Sequence, residues 1–249
     1  MSGGTVSGTE NELPFAGRVV AITGGARGQG RSHAVEFARL GADVAVCDLC
    51  EDLSSIGYSL ARPNDLEETA RLVEEEGRRS IASVTDVRDL DAMIAFVDRV
   101  AEVLGSVDIL VANAGVSAMG SLLTMDARQW SETIDTNLTG VFNSIRAVAP
   151  HMRRQHWGRI IGISSMLGRS GYPGVSAYVT SKWGVIGLCK SAAYELAHFG
   201  VTVNAVAPGN ISTPMIHNET LYRLMRPDLE HPEIDDVAPG MFTPFSCHW

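Results

Sequence analysis

Short, almost wholly apolar runs recur along the chain, and longer stretches between them return an apolar residue every three or four positions. The runs fall at 18–24 (RVVAITG), 43–48 (DVAVCD), 81–87 (IASVTDV), 107–115 (VDILVANAG), 158–165 (GRIIGISS) and 201–209 (VTVNAVAPG). They are apolar on both faces, as strands of a parallel sheet covered by helices on both sides must be. The intervening RSHAVEFARLG, LDAMIAFVDRVAEVLG and SAYVTSKWGVIGLCKSAAYELAHFG have the length and spacing of helices. Alternating strands and helices predict an α/β fold of the doubly wound, Rossmann type, with any ligand at the carboxyl ends of the strands.

Two segments break the rhythm. After the second run the next helix is expected to begin at Asn64, with Glu67 completing a capping box. About fifteen residues precede it, where two to six are usual. This loop lies beside the ligand-facing end of the second strand and is either a cover over the ligand or a plain surface insertion. The end of the chain departs further. Six of the ten prolines lie from Pro208 onward, nothing after NAVAPG reads as a buried strand, and MIHNETLYRLMRPDL suits a helix over the site. The remainder, EHPEIDDVAPGMFTPFSCHW, reads as irregular.

Length and composition bound the rest. A chain of 249 residues, 45% hydrophobic and without internal repeats, buries one sizeable core. The expected organisation is a disordered tail over 1–13 and a single domain over 14–249, with a substrate lid at 211–226. A net charge of −9 without a strong basic cluster argues against a nucleic-acid partner. The polar start lacks the pattern of a signal peptide, and no apolar run approaches membrane-spanning length. Four cysteines make no disulfide framework at this size, so a cytoplasmic location and no membrane partner are expected. Cys47 and Cys50 have the spacing of a metal or redox pair but lack a second ligand pair, so no metal is expected and ordinary thiols at a strand end are the alternative.

The chemistry begins with TGGARGQG at 23–30. Gly24, Gly28 and Gly30 follow the first strand and open a helix, letting backbone approach an anion at the helix start. Asp48 ends the second strand, where a carboxylate accepts hydrogen bonds from the ribose hydroxyls of an adenosine. A 2′-phosphate about 4 Å away would meet repulsion of about 4 kcal/mol per unit charge, which favours NAD over NADP. Arg27 is a counter-signal, able to pair with that phosphate, to meet the pyrophosphate or to face solvent. Tyr178 and Lys182, four residues apart in YVTSK, share one helix face. Bringing a tyrosine to the phenolate near neutrality requires about 4 kcal/mol, much of which an ammonium one turn away supplies. Ser165 at the end of the fifth run can hydrogen-bond a substrate oxygen from the other side.

Together with Asn137 in DTNLTGVF, the turn NAG at 113–115 and the Pro-Gly pair after the sixth run, these residues resemble the short-chain dehydrogenase/reductase family over residues 15–226. The resemblance implies Tyr178 as acid/base on the alcohol oxygen, Lys182 tuning it, Ser165 orienting the substrate and Asn137 holding a water in a proton relay. It implies an NAD site built from Thr23, Gly24, Arg27, Gly28, Gln29, Gly30, Asp48, Leu49, Asp86, Val87, Asn113, Ala114, Gly115, Tyr178, Lys182, Pro208, Gly209, Ile211 and Thr213. GARGQGRSHAVEFARLGADVAVCDLC, the lengthened loop after Asp48 and TPMIHNETLYRLMRPDLE resemble the mycofactocin-coupled, carveol dehydrogenase-like branch. That branch implies a retained NAD, a peptide-derived electron acceptor of the mycofactocin type and a small apolar secondary alcohol or ketone as substrate. It also implies a homo-oligomer, a tetramer, although the family's final strand and helix have no counterpart here and the C-terminal end reads as shortened.

Met166, Leu167, Tyr172, Met215 and Ile216 fall where a substrate pocket is expected, or else pack the core. The alternatives are a ketone or 3-oxoacyl reductase with exchangeable NAD(P)H, and a non-catalytic protein that binds or senses NAD.

Overall fold

The computed structural model describes residues 13–241. Six strands form one parallel sheet: β1 (Val19–Thr23), β2 (Asp43–Asp48), β3 (Ser80–Val84), β4 (Ile109–Ala112), β5 (Gly158–Ile163) and β6 (Val201–Val206). Their order across the sheet is β3-β2-β1-β4-β5-β6, so β1 and β4 are neighbours although two strands separate them in sequence. Among the described residues, eight α-helices connect and cover them: α1 (Gly28–Arg39), α2 (Pro63–Glu75), α3 (Leu90–Leu104), α4 (Ala127–Ile134), α5 (Gly140–Gln155), α6 (Ser176–Leu196), α7 (Glu219–Met225) and α8 (Ile234–Met241).

The alternation of side chains along β1 and β2 divides the core into two layers. Val20, Ile22, Val44 and Val46 pack with Ala34 and Ala38 of α1 and Leu66 and Val73 of α2. Val19, Ala21, Ala45 and Cys47 point the other way, towards Phe96, Val97 and Val100 of α3, with α5 and α6 completing that layer. Every residue of β1 is buried, which is the physical meaning of its unbroken apolar sequence. The expectation of strands apolar on both faces does not extend to the edges. In β6 only Val201 and Val203 are buried, and β3 is partly exposed, because an edge strand lacks a covering neighbour on one side.

Three expected boundaries shift. Helix α2 starts at Pro63, not Asn64, with Arg62 as the N-cap residue and Asp65, rather than Glu67, returning to the Arg62 backbone N–H at 2.8 Å. Proline at the first helical position loses no hydrogen bond and presets the backbone angle, and this outweighs the asparagine beside it. The stretch expected to be irregular carries α8, whose Val237 is buried against Leu221. Pro239 lies within α8. The lid helix is shorter than its sequence suggests, occupying only Glu219–Met225. The tail assigned to 1–13, save Leu13, and the end from residue 242 lie outside the described residues.

Between β1 and β4 the chain leaves towards opposite faces, so backbone groups at the strand ends need other partners. The Thr23 hydroxyl accepts from the N–H groups of Asn113 and Ala114, at 3.0 and 3.1 Å. The Asn113 amide donates back to the carbonyls of Thr23 and Gly24, both at 3.0 Å. Thr23→Val preserves shape but strands two part-buried donors. We expect it to lower stability by about 2–4 kcal/mol, measured by denaturant unfolding; a loss below about 0.5 kcal/mol would show that the clasp is dispensable.

Candidate active site and nucleotide crevice

The glycine loop leaves β1 and enters α1 with Gly24 and Gly28 at positive φ, 65° and 56°. A Cβ at Gly24 would come within 2.7 Å of the Ala114 backbone, so the close passage of the two strand ends requires glycine there. Arg27, the N-cap residue of α1, makes no side-chain cap, and the first turn of the helix holds no acidic residue. The opening N–H groups and the positive end of the helix dipole therefore suit an anion.

This loop borders a crevice that also contains Gln29, Asp48, Leu49, Asp86, Val87, Asn113, Ala114, Gly115 and Thr213. Asp48 accepts from the Ala26 N–H at 3.1 Å; burial raises its pKa, opposed by the N–H groups of Ala26, Cys50 and Leu49. A half-buried carboxylate with such partners retains acceptor capacity for two hydroxyls. Thr136, on the crevice wall, has a buried hydroxyl with no partner among the described residues. Donors, acceptor and glycine cradle together fit an adenosine ribose and pyrophosphate.

Some expected residues serve the crevice from behind. Thr23 and Gly30 are buried and do not border it: Thr23 clasps β4, and Gly30 packs against the Gly24 carbonyl too closely for any side chain. Pro208 borders neither cavity and accepts from the Met166 N–H through its carbonyl. Arg27 resolves its ambiguity by turning to the loop after β2, donating to the Ser59 carbonyl at 2.5 Å. Asp86 is gripped by Arg88; burial would raise its pKa, but the guanidinium and the Arg88 N–H bring it below the ordinary value.

The loop at 49–62 covers this crevice. Leu53 and Ile56 are buried against Val116 and Ala118. Glu132 accepts from the Ser55 N–H at 3.1 Å, and Asp52 binds Arg62 and the Leu60 N–H. Leu53, Tyr58, Leu60 and Ala61 border the crevice directly. Loop length could signal a cover, but not these individual contacts. Cys47 and Cys50 are buried in different layers of the core, with burial raising both thiols, Cys50 to about 11. Among the described residues, no group of three or more His, Cys, Asp or Glu could hold a metal ion.

A second, apolar cavity of about 210 Å³ adjoins the crevice, sharing Gln29, Thr213 and Met215 with it. Ser165, Tyr178, Gly209 and Ile211 border it, as do all five expected pocket residues: Met166, Leu167, Tyr172, Met215 and Ile216. Leu221 and Met225 close it from α7. Ser165 lies two residues past the end of β5 and faces the Tyr178 phenol, while Tyr178 and Lys182 lie on the first turns of α6. The Lys182 ammonium is 5.5 Å from the Tyr178 ring centre and donates to the Ile163 carbonyl at 2.8 Å. A Cβ on Gly115 would lie 3.4 Å from both Lys182 Nζ and Asn137 Oδ1, so glycine brings these groups together.

Asn137 occupies a π-helical turn between α4 and α5 (Asp135–Thr139), a distortion that aims its side chain inward. Its Oδ1 accepts from the Val116 N–H at 2.8 Å, and its amide donates to the Val116 carbonyl and the Ser181 hydroxyl. One Oδ1 lone pair remains for a water.

Electrostatics correct one expectation. Burial raises the Tyr178 phenol, and the opposing hydrogen bond comes from Ser165, not from a dominant effect of Lys182. Burial also lowers Lys182 to about 8, because neither buried group gains its charge cheaply.

The comparisons with known proteins agree with this geometry. The description short chain dehydrogenase applies to the family model matching residues 18–222. The chain belongs to the short-chain dehydrogenase family. A (-)-trans-carveol dehydrogenase from Rhodococcus erythropolis is 44% identical over 222 residues, spanning 88% of this chain and 80% of that protein. A 3-oxoacyl acyl-carrier-protein reductase from Staphylococcus aureus is 44% identical over 197 residues, spanning 78% and 74%. The solved structure of carveol dehydrogenase from Mycobacterium avium in complex with NAD superposes with a TM-score of 0.87 at 45% identity, covering 90% of this chain and 82% of that one.

The depressed Lys182 pKa has a measurable consequence. Between pH 8 and about 10 the unfolded chain binds more protons than the folded one at this site, so stability rises with pH there. Cofactor-free protein should gain about 1–2 kcal/mol relative to Lys182→Met between pH 8 and 9.5 by denaturant unfolding. Parallel stability curves would contradict the assigned burial of the charge.

Proposed function

We propose that this protein is an NAD-dependent dehydrogenase interconverting a small apolar secondary alcohol and its ketone, resembling carveol dehydrogenases in substrate class. The observation that carries the reading is that Tyr178 borders the apolar cavity, which adjoins the nucleotide crevice through Gln29, Thr213 and Met215. Bound NAD supplies the hydride acceptor for the carbinol carbon. Tyr178 takes the hydroxyl proton during oxidation and returns it during reduction. Ser165 holds the substrate oxygen beside the phenol, and Lys182 opposes the charge that forms on Tyr178. Asn137 orients Val116 and Ser181 and retains one lone pair for a water that relays the proton outward. Asp48 selects NAD by accepting from both ribose hydroxyls, and Arg27, committed to Ser59, offers no competing welcome to a 2′-phosphate.

Cofactor retention follows from the cover at 49–62 in this reading, with electrons passing onward to a mycofactocin-type acceptor. The segment is tied to the glycine loop through Arg27 and to the lid through the Thr220 hydroxyl, which donates to the Gly57 carbonyl at 3.0 Å. A reductase with freely exchanging NADPH fits these ties and Asp48 less well. The proposed homo-oligomer, a tetramer, has support in an apolar groove between α5 and α6 that includes the exposed Phe142 and the partly buried Phe199, a surface suited to a second copy.

Purified protein should release NAD on denaturation and oxidise trans-carveol with an artificial electron-accepting dye without added nucleotide. Tyr178→Phe should keep its NAD but lose turnover by at least about a hundredfold; equal turnover would remove the acid/base assignment. Arg27→Ala and Thr220→Val should each accelerate NAD dissociation by roughly fivefold, as loss of one hydrogen bond predicts, read by exchange against labelled NAD. Unchanged release in both would detach retention from the cover.

A further inference from the structure

The wall between the two cavities is a short stretch of backbone. Gly115 and Val116 border the nucleotide crevice, and Ser117 borders the apolar cavity. Three successive buried N–H groups in this wall are met by side chains. Asn137 accepts from Val116 at 2.8 Å, the Tyr58 hydroxyl from Ser117 at 3.1 Å, and the Thr133 hydroxyl from Ala118 at 3.4 Å. Asn137 and Thr133 come from the α4 region, which packs against α6 whatever the cover does. Tyr58 comes from the cover itself.

That difference gives the tyrosine a role distinct from packing. Its ring borders the crevice, and its hydroxyl passes through the cover to the partition beside Tyr178. Burial raises the Tyr58 phenol well above its ordinary value, with the Ser117 N–H opposing and Tyr178 adding to the rise. It therefore stays protonated at neutral pH and is a fixed hydroxyl, not a second base. If the cover moves away, Ser117 loses its acceptor while its neighbours keep theirs, and the partition loosens at its middle residue.

We propose that Tyr58 is a positioning residue for hydride transfer: by holding the Ser117 backbone, it makes the geometry between cofactor and alcohol depend on a closed cover. The proposal rests on the dehydrogenase reading above, with Tyr178 as acid/base, and adds a residue that acts through the wall without touching the reacting atoms. The conservative variant Tyr58→Phe keeps the ring and removes only the hydroxyl.

The test uses NAD-loaded wild type, Tyr58→Phe and Tyr178→Phe with trans-carveol or its carbinol-deuterated form and a saturating electron-accepting dye that reoxidises the reduced nucleotide. For Tyr58→Phe the expected result is a fall in kcat of about tenfold with KM for the alcohol within about twofold, because positioning is lost but uniform binding is not. The deuterium isotope effect on kcat should rise as hydride transfer becomes slower than product release, and amide exchange at Ser117 should quicken. Unchanged kcat and isotope effect in Tyr58→Phe, with Tyr178→Phe inactive, would overturn the role of Tyr58 and leave the dehydrogenase reading intact. A wild type inactive on the alcohol, or an active Tyr178→Phe, would bring down both. Should Tyr58→Phe fail to fold, hydrogen exchange on the wild type decides: NAD must protect the peptides at 53–60 and 113–118 together, and protection of one without the other overturns the proposal.

Discussion

The site depends on how the chain resolves the neighbourhood of β1 and β4. Two parallel strands lie side by side there, but the segments after them depart to opposite faces of the sheet, opening a crevice and exposing strand-end backbone to a water-poor interior. The reciprocal bonds between Thr23 and Asn113 satisfy that backbone within the protein. This leaves the opening N–H groups of α1 free to meet an anion and sets Gly115 at the distance where Lys182 and Asn137 both approach it. Crevice and chemistry are thus consequences of one junction. A side chain on Gly24 would push the strand ends apart and disturb both at once.

Charge sets the second constraint. Tyr178 and Lys182 are both taken out of water, and burial works against phenolate and ammonium alike. Formed together, the two charges oppose that penalty, since opposite charges one helical turn apart attract in a low-dielectric interior. In the proposed mechanism the lysine would therefore tune the phenol chiefly during the step in which the phenol ionises. In the resting state, Ser165 is the group that favours the phenolate.

The readable parts of the molecule were those where local chemistry and tertiary environment agree. Unbroken apolar runs marked the central strands because burial on two faces leaves no position for polar residues, whereas β6 betrays the rule by standing at an edge. The glycine loop, Asp48, Tyr178 and Lys182 were legible because each demands a residue type at a fixed spacing. The start of α2 was not, since Asn64 is a good cap in isolation and only the neighbouring Pro63 decides between two adjacent starts. Nor was α8, where Pro239 disguised a helix that is held by packing of Val237 on the lid. Thr23 and Gly30 were legible as parts of a motif but not as supports lying behind the crevice. Tyr58 had no local signal, because its partner Ser117 is 59 positions away.

The cover borders the nucleotide crevice, the lid borders both cavities, and the two segments meet where the Thr220 hydroxyl donates to the Gly57 carbonyl. A Cβ at Gly57 would approach Thr220 Oγ1 to 2.5 Å, so the loop over the nucleotide passes directly under the helix that supplies Leu221 and Met225 to the apolar cavity. Such contact has little consequence if both segments are permanently shut, but in the proposed reaction alcohol must enter and ketone must leave. Lifting α7 for that passage withdraws the Thr220 hydroxyl from Gly57 while Arg27, Glu132 and the buried Leu53 and Ile56 continue to hold the cover. The fastening is therefore unequal: one hydrogen bond yields with the lid, and several contacts do not. In the proposed dehydrogenase, this inequality would let the smaller molecule exchange through a moving lid while Arg27, Glu132, Leu53 and Ile56 go on slowing nucleotide release, the Thr220 bond adding its share only when the lid is shut.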